Sequence, residues 1–355
     1  MKRIQNLEGF KNAYIFHHID DDGKAAGAVV TYELIRNPYT TISYGKYNYS
    51  HKWEDLNFPC DGEYDENSIF FIVDLSIDDV IFEAIKKAVT ANSLVVHIDH
   101  HKSSLDFISN MKEEEKVIYD KVISFVKDGI SGCLLTWIYS CMNPIEKMCP
   151  NDVDFDMAEG RTHVMLPGNR EYGIPTSIRY IDDNDVWLKY YNDTKYFNMG
   201  FQMESNKSPQ NKELWSRLLY DWSFVKKYVD EGEILYRYQS TQNKSIISRN
   251  AFKYTIEFDG RDIECLCVNN PYGNSRIFGS EYENYQVVIK FGFDGELWRY
   301  TLYSHEKFED VDVSVIAKRY GGGGHKCAAG FASNEFIFDT DKITKYEYNP
   351  EAIWG

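Results

Sequence analysis

Apolar and polar positions in the first half of the chain switch between two periods. Tyr14-Ile15-Phe16, Phe70-Phe71-Ile72-Val73 and Leu94-Val95-Val96 are short, unbroken apolar runs, as expected of strands covered on both faces of a parallel sheet. Between the second and third runs the period lengthens. Val80, Ile81, Ala84, Ile85, Ala88 and Val89 recur at helical spacing and give one apolar face. Residues Lys24 to Val30, rich in Ala and Gly, predict a small-residue helix packed closely on the sheet. Strand and helix alternate in this way to about residue 195, which predicts βαβ units with right-handed crossovers.

The second half reads differently. Leu214, Leu218, Trp222, Val225 and Val229 fall on one stripe, which predicts a long helix over about 210–246 connecting two domains. The period then drops to two. Phe252, Tyr254, Ile256 and Phe258 alternate with polar neighbours, Asp259-Gly260 supplies a hairpin turn, and Ile263, Cys265 and Cys267 continue the alternation. A second hairpin is expected across Asp294-Gly295. The aromatic-rich stretch after Ala332 gives no clear signal, and no internal repeat or low-complexity tract is present. The expected class is α/β: a parallel-sheet domain over 1–200, a connecting helical segment over 201–249, a smaller mixed α/β domain over 250–340 and a tail over 341–355.

Composition narrows the partners more than the fold. The 355 residues suffice for two cores, and 43% hydrophobic with 26% charged residues is ordinary for a globular protein. No window approaches the roughly 18 apolar residues of a membrane span, and Met1 to Glu8 lack the apolar core of a secretory signal. Seven cysteines without a CxxC pair suggest reduced thiols and a cytoplasmic location. The net charge of −16 opposes a long polyanion, except where local Lys, Arg or metal overrides the field. A short phosphorylated substrate is therefore expected, with no membrane and no long duplex; a homodimer is left open.

Each apolar strand of the first half runs into chemistry. His18-x-Asp20-x-Asp22-Gly23 sets three potential ligands at alternate positions, with Gly23 permitting a tight turn; a plain helix cap is the competing reading. On this geometry Asp21 points the other way and reads as a cap. Asp74 follows the second strand and is informative only through its place beside the others. Asp99-His100-His101 follows the third, and adjacent histidines next to an Asp are costly to bury unpaired. One histidine of the pair can bind metal while the other donates a hydrogen bond or proton to a phosphoryl oxygen. Carboxylates and imidazoles without thiolate suit hard or borderline divalent cations, and one carboxylate between two cations can bridge them, so that they share an activated hydroxide. A further acidic cluster, Asp182-Asp183-Asn184-Asp185, leaves open which Asp ligates, with a solvated loop as the plain alternative. Near the C-terminus, Arg319-Tyr320-Gly321-Gly322-Gly323-Gly324-His325 leads into Lys326-Cys327-Ala328-Ala329-Gly330. This predicts a phosphate-approaching loop followed by a small-residue helix start, against a flexible linker.

Taken together and in this order, the motifs resemble the DHH phosphoesterase family with its associated C-terminal domain. The likeness covers about residues 14–195 and 250–332 and is greatest to the bacterial short-RNA oligoribonuclease branch. The resemblance implies an active site between the two domains and two Mn2+ ions. One ion would be held by His18, Asp20 and Asp74, the other by Asp22, Asp74, His100 and Asp185. The family's Tyr-Asp-x-Trp element favours Asp185, before Val186-Trp187, over its two acidic neighbours. His101 would contact the scissile phosphate, Asp99 would orient it, and Gly322, Gly323, Gly324 and His325 would hold the substrate. Relatives carry Ser-Leu-Arg-Ser where this chain has Thr301-Leu302-Tyr303-Ser304, so Arg299 or Arg319 would substitute for the missing arginine. The implied activity is two-metal hydrolysis of short oligonucleotides or dinucleotides to mononucleotides. Alternatives are a cyclic-dinucleotide phosphodiesterase, an adenosine 3′,5′-bisphosphate phosphatase, a 5′–3′ single-strand exonuclease and a non-catalytic nucleotide sensor.

Overall fold

The computed structural model describes residues 9–35, 38–48, 53–60, 62–141, 154–155, 161–166 and 170–348. The chain forms two compact units, Met1–Leu235 and Tyr236–Gly355. No helix among the described residues is long and apolar enough to cross a membrane.

In the first unit, β1 (Asn12–His18), β2 (Thr41–Tyr47), β3 (Ser68–Val73), β4 (Leu94–Asp99) and β5 (Ile123–Val126) form a parallel sheet in the order β2-β1-β3-β4-β5. Helices α1 (Asp21–Val29), α2 (Asp79–Thr90), α3 (Lys102–Ser109), α4 (Glu113–Tyr119) and α5 (Gly132–Cys141) make or flank the connections. All six residues of β3 are buried, as its unbroken apolar run requires. One core layer packs Ile15, Phe71 and Val96 against the small residues of α1 and the apolar face of α5. The layer on the other side packs Phe16, Phe70 and Val95 against Ile81, Ile85 and Ala88 of α2. The chain leaves β1 toward β2 on one side and returns to β3 on the other, so strand order reverses beside β1. Open parallel sheets bind ligands at the carboxyl ends of the strands at such a switch point.

The rest of this unit holds a small antiparallel sheet of β6 (Asp154–Phe155), β7 (His163–Leu166) and β8 (Arg170–Gly173), then α6 (Thr176–Asp185), α7 (Thr194–Phe201) and α8 (Lys212–Tyr220). The stretch expected as one long helix is two. After α8 the chain breaks at Asp221, whose φ and ψ of −118° and 97° are extended, and α9 (Trp222–Asn250) then runs on into the second unit. Asp221 Oδ1 accepts hydrogen bonds from the amides of Ser223 and Phe224, so it ends one helix and caps the next. The apolar stripe continues across the break because Leu214, Leu218 and Val225 feed one core.

The second unit is a mixed seven-stranded sheet ordered β13-β14-β12-β11-β10-β9-β15. Its elements are β9 (Ala251–Phe258), β10 (Arg261–Asn269), α10 (Glu281–Asn284), β11 (Val287–Phe293), β12 (Trp298–Tyr303), α11 (Val313–Arg319), β13 (Gly323–His325), β14 (Ala328–Ser333) and β15 (Thr344–Lys345). Both expected hairpins are present, and Asp259 and Gly260 turn the first with φ of 51° and 73°. Cys265 and Cys267 are buried on one face of β10, in the same core cluster. The glycine run does not lead into a helix. Gly323, Gly324 and His325 pair with Gly330, Ala329 and Ala328 in an antiparallel hairpin. Alternating small residues fit this pleat where the strand lies against Phe331: a Cβ on Gly322 would stand 2.5 Å from the Phe331 Cβ.

Candidate metal centre

Strands β1, β3 and β4 are neighbours, so their carboxyl ends deliver His18, Asp74 and Asp99 to one edge of the sheet. Asp74 leaves β3 with a φ of 54°, a left-handed conformation rare outside glycine and asparagine, and lies buried. A Cβ on Gly132 would stand 2.5 Å from the Asp74 Cβ, so only glycine lets α5 begin against this carboxylate.

Three sets of potential ligand atoms converge here: His18, Asp20 and Asp74; Asp22, His100 and Asp185; and Asp74, His100 and His101. Nε2 of His100 lies 3.2 Å from Asp74, 3.5 Å from Asp185 and 3.7 Å from Asp22. Asp20, not Asp21, caps α1: its Oδ1 accepts from the Gly23 amide at 2.8 Å while its Oδ2 meets His18 Nδ1 at 2.6 Å. Asp21, expected as the cap, instead pairs with Lys207 Nζ at 2.9 Å. Asp22 is fixed from far along the chain. Its carboxylate accepts the amides of Gly132 and Cys133 at 2.7 and 2.9 Å, the N-terminal N–H groups of α5.

The three acidic residues of α6 separate by partner. Asp182 accepts from the Ser131 amide and from Arg161, at 2.8 and 2.9 Å, and so ties α6 to the start of α5. Asp183 accepts from the Tyr190 amide at 2.7 Å and holds the following loop. Asp185, at the end of α6, reaches the cluster. The Ser131, Gly132 and Arg161 contacts were not foreseen from sequence; Ser131-Gly132 before an apolar helix was a legible start signal, but its partners were not.

Electrostatics mark the same place. Burial, then the charges of Asp22, Asp20, Asp99 and Asp185, push the Asp74 carboxyl well above the ordinary carboxylate range. Burial and the charges of Asp22 and Asp20 push Asp185 up to about 8. Both buried oxygens of Asp74 lack a hydrogen-bond partner. Buried carboxylates are normally paired or bound to metal, and a donor set of carboxylate oxygen and imidazole nitrogen fits a divalent cation. Asp99 behaves differently. Burial raises its pKa, but the hydrogen bond and charge of His101 outweigh burial and hold the carboxyl below its usual range, with His97 and the Ser104 hydroxyl contributing. In return, burial lowers the pKa of His101 while the 2.7 Å bond to Asp99 raises it, and the bond prevails.

The remaining expected site residues lie in the second unit. Gly321 and Gly322 donate their amides to the carbonyls of Lys318 and Ala317, closing the end of α11 rather than presenting open N–H groups. Gly323 has open space where a side chain would stand, and His325 is exposed. Arg319 donates to the Glu257 carbonyl at 2.9 Å, and Arg299 binds Asp294 at 2.6 Å.

No protein-family model matches the chain. The chain is similar to the oligoribonuclease NrnB of Bacillus subtilis (strain 168), 22% identical over 338 residues that cover 95% of this chain and 77% of that protein. It is also similar to the uncharacterized protein R106 of Acanthamoeba polyphaga mimivirus, 29% identical over 168 residues, 45% of this chain; the match spans 37% of that relative's length. In three dimensions it is similar to the DHH domain of a member of the S1p family of ribosomal proteins, with a TM-score of 0.53 and 14% identity. That likeness covers 91% of this chain and 83% of the other and is a likeness of fold.

Proposed function

We propose that this chain, which belongs to the DHH phosphoesterases and is a metal-dependent enzyme, hydrolyses short oligonucleotides and dinucleotides to mononucleotides. The observation that carries the reading is Asp74: a buried carboxylate without a hydrogen-bond partner, shared by two sets of ligand atoms. His18, Asp20 and Asp74 would hold one ion and Asp22, Asp74, His100 and Asp185 a second. Imidazole in both sets favours manganese over magnesium. Bound there, such ions would supply Lewis acidity at a phosphoryl oxygen and bring a water's pKa toward neutrality.

The chain's own groups do the rest. Asp99 fixes the His101 ring through Nδ1 and favours its protonated form, so His101 serves as donor to a phosphoryl or departing oxygen. Asp22, locked by two amides of α5, cannot rotate away and keeps its neighbours His100 and Asp185 in register. The exposed His325, with Gly322, Gly323 and Gly324 in its hairpin and Arg319 at the end of α11, is proposed to contact substrate. A cytoplasmic setting is part of the same reading, in keeping with the thiols at Cys60, Cys133, Cys265, Cys267 and Cys327.

A rate series with manganese on single-stranded RNA and DNA, from a dinucleotide to a strand of about 30 nucleotides, tests the substrate. With a net charge of −16, added phosphates soon become repulsive, so efficiency should peak at roughly two to five nucleotides. Equal or rising efficiency toward the longest strands would overturn the reading in favour of a 5′ exonuclease. Preferential turnover of a cyclic dinucleotide or of adenosine 3′,5′-bisphosphate would replace the substrate while keeping the chemistry.

A further inference from the structure

Next to the metal cluster, and wholly within the first unit, lies a cavity of about 380 Å3. The carboxylates of Asp20, Asp22 and Asp185 form its wall on the cluster side, and the rings of Phe197 and Phe201 contribute apolar surface. A further wall is a run of amides. Asn198 Nδ2 donates to Asn184 Oδ1 at 2.8 Å, and Gln202 Nε2 donates to Asn198 Oδ1 at 3.3 Å and to Asp21 Oδ2 at 3.0 Å. Lys207 closes the run, its ammonium 2.9 Å from Asp21 and 4.4 Å from the centre of the Phe201 ring.

This wall is built but not saturated. Asn198 and Gln202 stand four residues apart on one face at the end of α7, and Asn184 faces them from α6. Gln202 spends both amide hydrogens, which leaves its Oε1 as an acceptor. Asn198 keeps one N–H and Asn184 keeps its Nδ2 donors. Donors and an acceptor held in a row, over apolar rings, match the edge and the body of a nucleobase. A simple anion is a poorer match, because Asp21 already neutralises Lys207 and three further carboxylates line the space.

We propose that this cavity is a nucleobase subsite, in which Asn184, Asn198 and Gln202 hold the base of a nucleotide adjoining the scissile phosphate. The proposal rests on the phosphodiesterase reading of the cluster and adds the part of the substrate that the metal ligands do not touch.

Calorimetric binding to the manganese-loaded full chain tests it without requiring turnover. The probes are the four nucleoside 5′-monophosphates and ribose 5-phosphate. At least one nucleotide should bind tenfold or more tightly than ribose 5-phosphate, and Asn198→Ala should remove most of that gap. Gln202→Ala, at an exposed position, guards against a folding defect and should narrow the gap about threefold. Equal affinity for nucleotides and ribose 5-phosphate, or a gap that survives both substitutions, would overturn the subsite. The phosphodiesterase reading falls by a different result: nucleotides bind with base dependence, yet dinucleotides are left intact with manganese.

Discussion

The two units treat their chemistry-bearing motifs in opposite ways. In the first, both oxygens of Asp74 are buried without a hydrogen-bond partner, and four acidic neighbours push its pKa up. In the second, the amides of Gly321 and Gly322 are spent on the end of α11, the next three residues pair in a hairpin, and Arg319 and Arg299 each hold an internal partner. Burying a carboxyl with no hydrogen-bond partner opposes folding, so its presence marks a candidate place for a bound group. The glycine loop is already complete as structure, and whatever it contributes must come from exposed side chains such as His325.

Replacing Asp74 by Asn breaks the contrast most directly. Asn tolerates the left-handed backbone at this position and removes only the charge. Turnover at saturating manganese should fall by about a thousandfold or more, while the melting temperature in chelator should hold or rise, because an uncompensated buried carboxylate has gone. Near-normal turnover would remove Asp74 from the ligand set.

A smaller loss, roughly 10- to 100-fold, is expected for Asp99→Asn, which acts through His101. The raised pKa of His101 depends on that carboxylate. The rate that needs the protonated ring is present below the ring's folded pKa and lost as pH rises through it. The alkaline limb of the pH–rate profile should therefore move to lower pH in the variant. An unshifted limb would assign that limb to another group.

Stability against pH sharpens the comparison without catalysis. Asp185 titrates at about 8 in the folded chain, far above its ordinary value of 3.8, and Asp74 is raised in the same direction. Between those limits the folded state holds protons that the unfolded state has released, so stability falls as pH rises from about 4 to 8. Calorimetry in chelator should show a higher melting temperature at pH 5.5 than at pH 8. Saturating manganese should narrow or reverse the order, because cations and protons compete for the same oxygens.

The smallest effects lie in the second unit. Gly324 has a φ of 143° and a Cβ there would stand 2.5 Å from Ala329 Cα, so Gly324→Ala should lower the melting temperature. Gly323→Ala meets open space and should leave it unchanged. His325→Ala should raise KM a few-fold with little change in kcat; unchanged kinetics would remove the hairpin from substrate binding.

Local patterns in the sequence made three of the five strands of the parallel sheet legible, whereas β2 and β5, short and mixed in polarity, went unread. Each ligand-bearing strand is an apolar run ending on its own Asp or His, and neither feature depends on distant residues. The clasp on Asp22 was illegible because its donors at Gly132 and Cys133 stand about 110 residues away, and backbone amides carry no residue signature. A separation of 21 residues, in chain with no period linking the two, likewise hid the pairing of Asp182 with Arg161. The glycine run misled because a small-residue stretch looks alike in a tight hairpin and at a helix start. After Ala332 no period exists to be read: Phe336 and Phe338 come from irregular chain and both contact the ring of Phe291.

The start of α5 also sets a timetable. Asp20, Asp22, Asp74 and the Asp99–His101 motif all leave the ribosome before Gly132, yet the two amides that hold Asp22 come only with Gly132 and Cys133. Asp185 emerges later still. A growing chain thus carries most of the ligands for a long stretch of synthesis without an organised site to put them in. On the proposed metal reading, capture is consequently a late event in the life of the nascent protein, because the candidate ligand set closes only with Asp185.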